Sequence, residues 1–227
     1  MALLSELVSI CEAHRLDTGA TLNVFARRLR EAGRVSKAGR GRGAAHMTYL
    51  DAARFLIACA ATDHPERTAD AEYAFSNITL SDDNQWCEAF HITADNAPTL
   101  DLALAKLLEG IATGEIDAIQ QAKNEERRPG SAFRIPPFFG LILRRSHVSA
   151  SLRIMEGYYH FQHPTLAAIV AAPDYLAQKP LMEALERDTY RFRTGKNLVA
   201  ELEEKLLREV ANLIAGKGAG SIIGTGN

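Results

Sequence analysis

The chain is 227 residues long, 47% hydrophobic and 24% charged, the balance of a globular protein of one large or two small domains rather than of a disordered, collagenous or membrane chain. Its 26 Lys and Arg against 28 Asp and Glu leave a formal charge of -2, which excludes indiscriminate polycation behaviour. Three widely spaced cysteines, Cys11, Cys59 and Cys87, fit neither a disulfide framework nor a zinc ribbon. With no apolar run of about 18 residues and no positive region opening a secretion signal, the expectation is a cytoplasmic protein with reduced thiols.

Leu3, Leu4, Leu7, Val8 and Cys11 recur at helical spacing and predict a first helix over about residues 3–14. Across Arg15–Ala20, a second helix over Thr21–Ala32 carries Leu22, Phe25 and Leu29 inward and ends at Gly33. Lys37–Gly43 alternates basic residues with glycine and predicts an exposed loop. Thr48 with Asp51 forms a capping box that opens a helix through about Ala61. Charge gathers over this stretch: residues 1–48 hold eight basic side chains against four acidic ones, a net of +4, and the remaining 179 residues carry -6.

Pro65–Phe75 is expected to be helical, and Ser76–Asn96 mixed, with strands around Ile78 and Phe90–Ile92. Thr99 caps a helix over 100–113 that Gly114 closes, and a charged helix over 115–128 runs to a linker at Pro129-Gly130. In the stretch 133–161, Leu141, Leu143, Val148, Ala150, Leu152, Ile154 and Tyr158 alternate with polar neighbours around a turn near Ser146-His147, the pattern of an antiparallel hairpin. Helix resumes after Pro164 and closes with an amphipathic helix over 198–215 whose stripe (Leu198, Leu202, Leu206, Val210) is either core or a dimer seam. Gly216–Asn227 reads as a disordered glycine-rich tail.

The chemistry concentrates in the first 60 residues. A helix of about 10–12 Å diameter fits a major groove about 12 Å wide. With its apolar stripe inward, the second helix points Asn23, Arg27, Arg28 and Arg30 outward, where Asn pairs with adenine and Arg with guanine or phosphate. Arg34, Lys37, Arg40 and Arg42 continue the basic run, the last two suited to a phosphate ridge or a narrow minor groove. The run Thr21–Gly33, the basic glycine segment and the Thr-capped helix together resemble the winged helix-turn-helix of MerR-type regulators and phage excisionase-like proteins. Arg27, six residues before Gly33, matches the recognition-helix arginine, Lys37–Gly43 the wing, and Thr48–Ala61 the helix that follows. The resemblance covers residues 3–62. It departs where Arg28 and Leu29 replace the family's aromatic pair and Arg42-Gly43-Ala44 its Tyr-Arg.

The expected fold is α+β: an N-terminal winged helix-turn-helix-like helical domain at 1–66, a mixed effector or oligomerisation domain with an antiparallel hairpin and a C-terminal helix at 67–215, and a tail at 216–227. The expected function is sequence-specific binding of double-stranded DNA by a non-enzymatic homodimer, a transcriptional regulator of prophage or mobile-element type. The alternative is a phage packaging or assembly protein of small-terminase type. No cofactor or metal is expected. His160-x-x-His163 with His147 nearby has no cysteine or paired carboxylate in reach, a helix surface explains Glu183, Glu186 and Asp188, and no nucleophile elbow or phosphate loop is present.

Overall fold

The computed structural model describes residues 2–36, 46–81, 90–192 and 197–217. Leu4–Ala13 (α1) starts where the Leu3 N–H donates to Glu6 (2.7 Å), and Gly19–Glu31 (α2) where the Thr21 N–H donates to the Thr18 hydroxyl (3.3 Å). Each bond satisfies an N–H that a helix start leaves without a partner. Gly33, at φ 69°, takes the left-handed turn that ends α2. The Thr48–Asp51 capping box forms as expected at the start of Tyr49–Ala61 (α3), with the two reciprocal bonds at 2.9 and 3.1 Å. A 3-10 turn at Pro65–Arg67 leads into Thr68–Ser76 (α4). Leu100–Thr113 (α5) ends at Gly114, φ 83°, and Glu115–Arg127 (α6) follows directly. Thr99 holds the expected cap position of α5, but its hydroxyl donates to Asp101 (2.6 Å) rather than serving a backbone N–H.

Thr79–Leu80 (β1), Phe139–Arg144 (β2), Ser149–Ile154 (β3), Gly157–Gln162 (β4) and Val199–Leu202 (β5) form one antiparallel sheet in the order β1-β4-β3-β2-β5. With helices Pro164–Ala171 (α7), Tyr175–Thr189 (α8) and Glu204–Ile214 (α9), the described residues make an α+β fold. The expected hairpin is a three-stranded meander. A 3-10 turn at Arg145–His147 joins β2 to β3, and Met155 and Glu156 alone join β3 to β4, with Ile154 opposite Gly157. That short turn resets the alternation. Tyr159 and Phe161 enter the core beside Leu141, Leu143 and Leu152, and Tyr158, expected inside, lies on the other face.

Two further expectations are corrected. Phe90–Ile92 forms no strand; Phe90 and Ile92 are buried in irregular backbone, and the Phe90 carbonyl accepts from the Tyr159 hydroxyl. The helix expected over 198–215 divides into β5 and α9. Leu202 is buried from the strand and Leu206, Leu207, Val210 and Ala211 from the helix. A four-residue apolar spacing suits either element, and pairing with the edge of β2 (Leu141 opposite Leu202) decides for strand.

One core runs from Ala2 to Ala211. At its centre lies α3, buried on nearly every side through Ala52, Ala53, Phe55, Leu56, Ile57, Ala58 and Ala60, as a helix apolar all round requires. It packs on α2, α4 and α5, while α9 closes against α5 and α1. The stripe of α9 is thus core. The expected boundary near residue 66 falls between α3 and α4, which pack on each other. Sequence-distant polar ties reinforce this packing: Arg145 donates to Asp63 (2.7 and 2.9 Å) and to the Ala60 carbonyl (2.8 Å), and His14 meets Glu209 at 3.0 Å. The Arg145 hydrogen bonds hold the Asp63 carboxyl below its ordinary range. Among the described residues no helix is long and apolar enough to cross a membrane.

Candidate nucleic-acid interface

Leu22, Phe25 and Leu29 are almost fully buried and fix one side of α2 against the core. The opposite side therefore faces solvent, with Asn23, Arg27, Arg28 and Glu31 all exposed. The Asn23 amide nitrogen donates to the Gly19 carbonyl (2.8 Å). Glu31 lies 3.7 Å from Arg27 and 3.2 Å from Arg28, the spacing of neighbours along one helix face.

The other basic residues of the run separate. Arg30 is half-buried and lines a cleft of about 170 Å³ with Leu3, Leu4, Val35, Met47 and Asp51, and its Nε has no hydrogen-bond partner among the described residues. Arg34 turns inward. Its Nε and Nη2 donate to the two carboxylate oxygens of Glu72 (2.5 and 3.0 Å), a side chain with 0% exposure, and its guanidinium lies 5.2 Å from the Tyr73 ring centroid. The Glu72 hydrogen bond raises the Arg34 pKa against the opposing effect of burial. Arg54 extends the cluster, donating to Asp101 (3.0 Å) and to the Arg34 carbonyl (3.1 Å). Glu72, Arg54 and Asp101 escape a reading of the basic run, although one signal marks Glu72. It falls on the inner stripe of α4 with Thr68, Ala71, Phe75 and Ser76, where an acid requires a partner.

Lys37, Arg40 and Arg42 lie outside the described residues. The residues flanking them meet at one carboxylate. Asp51 accepts from the Ser36 N–H (2.8 Å) and hydroxyl (2.9 Å) and from the Thr48 N–H (2.9 Å), while the Met47 N–H donates to the Ala2 carbonyl (3.3 Å). Ser36 and Met47 both line the cleft with Arg30.

The histidines considered as metal ligands are distributed. His147 lies on the turn after β2, His160 on β4 against Ser151 (2.8 Å), and His163 at the start of α7. Among the described residues no group of three His, Cys, Asp or Glu side chains gathers as a metal site. Glu183, Glu186 and Asp188 lie along α8, all three exposed. Comparison with family models, curated proteins and solved structures finds no match.

Proposed function

We propose that the chain binds double-stranded DNA sequence-specifically and acts as a homodimeric, non-enzymatic transcriptional regulator, with residues 3–62 as a winged helix-turn-helix-like unit. The observation that carries this is the outer face of α2. Asn23, Arg27 and Arg28 lie along one side of a helix whose other side is anchored by Leu22, Phe25 and Leu29. A basic helix held rigid from behind presents hydrogen-bonding side chains to base edges and phosphates together. Arg40 and Arg42 follow in sequence between Ser36 and Thr48, which both bond Asp51, and they supply the charge that meets phosphates. Arg30 borders this surface from the cleft, and Arg34 holds the end of α2 through Glu72. Two copies would place two such helices on paired half-sites.

The test is an anisotropy titration of the full chain against genomic and nonspecific duplexes at several salt concentrations. Replacing Arg27, Arg40 and Arg42 together by Ala should weaken binding and lower the salt slope by about 0.9 for each phosphate that is no longer neutralised. An unchanged affinity and slope would sink the proposal. So would light scattering that finds a ring of many copies in place of a dimer, the outcome expected of a packaging protein.

A further inference from the structure

The sheet buries one face. The other carries a row of planar groups. In register, Arg153 on β3 lies opposite Tyr158 on β4, and Ser151 lies opposite His160. The Arg153 guanidinium sits 3.8 Å from the ring centroid of Phe138, just before β2, and 5.5 Å from that of Tyr158. The Tyr158 and His160 rings are 6.1 Å apart and within 9° of parallel. Arg144 on β2 donates to the Ser151 hydroxyl (3.0 Å), which bonds His160 in turn. Phe138 is 44% exposed, and Arg144, Arg153, Tyr158 and His160 are half-buried. Among the described residues no carboxylate pairs with Arg144 or Arg153, and the Arg153 Nε has no hydrogen-bond partner. Glu201 on the edge strand β5, opposite Ile142, brings a carboxylate to one margin of this face.

We propose that this face binds single-stranded DNA, with unpaired bases stacking along Phe138, Tyr158 and His160 and the phosphates meeting Arg144 and Arg153. Flat rings interleaved with cations that have no carboxylate partner among the described residues complement a strand that alternates flat bases with anionic phosphates. A duplex hides the faces of its bases and cannot use such a row. An acidic protein would engage the arginines and leave the rings without a role. The choice of DNA rests on the function proposed above, in which α2 takes the duplex and the sheet takes an unpaired strand beside it.

The test uses the full chain with a labelled oligothymidylate of about 16 nucleotides, an oligouridylate of equal length, and a duplex. Oligothymidylate should bind, and Phe138→Leu with Tyr158→Leu, which keeps apolar bulk and removes the rings, should weaken it by about 30-fold, as expected when two bases have no ring to stack on. Duplex binding should persist in that variant, and the variant lacking Arg27, Arg40 and Arg42 should keep oligothymidylate. Ultraviolet cross-linking of the unmutated protein to oligothymidylate, mapped by mass spectrometry, should place adducts on Phe138 or Tyr158. No oligothymidylate binding, adducts confined to other segments, or tighter binding of oligouridylate would each overturn the assignment. Oligothymidylate binding by an unmutated protein that takes up no duplex would count against the regulator and leave the sheet face standing.

Discussion

Arg27 and Arg34 belong to one basic run and do opposite work. Arg27 is exposed with Glu31 at 3.7 Å, an arrangement worth little in water, whereas Arg34 closes on a carboxylate with 0% exposure. Replacing Arg34 by Ala leaves the buried Glu72 carboxylate with only the Ser76 hydroxyl (2.5 Å) and Arg54 at 4.0 Å, and urea denaturation should register a loss of about 3 kcal/mol, with Arg27→Ala within about 0.5 kcal/mol of the unmutated chain. If both behave as surface changes, the Glu72 pair is not structural. Removing the competing acid should have the converse effect on binding: Glu31→Gln should tighten duplex affinity by up to about fivefold in the same titration, the equivalent of a surface ion pair no longer in competition. A weaker affinity would show that Glu31 orients the arginines. Sequence reveals the sign of these charges but not their depth. The partner that turns Arg34 inward is 38 positions away.

At the scale of elements, what is local is legible. Thr48 with Asp51, Gly33 and Gly114 mark helix ends through bonds or turns that span only a few residues. The phase of β4 and the identity of β5 depend on which strand lies alongside, so neither can be read from spacing alone. The start of α7 adds a case with a pH signature. His163 Nδ1 accepts the Thr165 N–H (3.4 Å), and burial lowers the His163 pKa against the opposing charge of Asp188. Protonation would remove the accepting lone pair and set a cation at the positive end of a helix. The unfolded imidazole takes its proton near its ordinary value of about 6.5, and the folded one only below that. The unfolded state therefore binds more protons in this interval, and the contribution of neutral His163 is present above it and declines as the pH falls. Thermal melts between about pH 7.5 and 5.5 should show a steeper loss for the native chain than for His163→Asn, which keeps a capping oxygen without the titration. Parallel slopes would remove His163 from the acid response.

Across the whole molecule, the net of +4 in residues 1–48 and the -6 elsewhere look like two domains joined near residue 66, yet charge distribution and core do not divide at the same place. Charge reports what faces solvent, while the core follows α3, whose Phe55, Leu56 and Ile57 have no exposed surface once α4 and α5 are in place. Polar ties also cross that position, among them His14 to Glu209, Arg34 to Glu72, Arg54 to Asp101 and Asp63 to Arg145. A fragment ending at residue 66 would expose the side of α3 that α4 and α5 cover, and each fully buried Leu, Ile or Phe side chain returned to water costs about 1.5–3 kcal/mol, a substantial part of the roughly 5–15 kcal/mol that stabilises a typical protein. The basic surface of α2 thus depends on the acidic remainder for its rigidity. Circular dichroism of residues 1–66 alone should show little of the helicity that α1, α2 and α3 have in the full chain, and the full chain should unfold in urea as one transition with coincident fluorescence and circular dichroism midpoints. A fragment that melts cooperatively, or two separated transitions in the full chain, would place a true domain boundary at residue 66 and make the outer face of α2 independent of everything that follows.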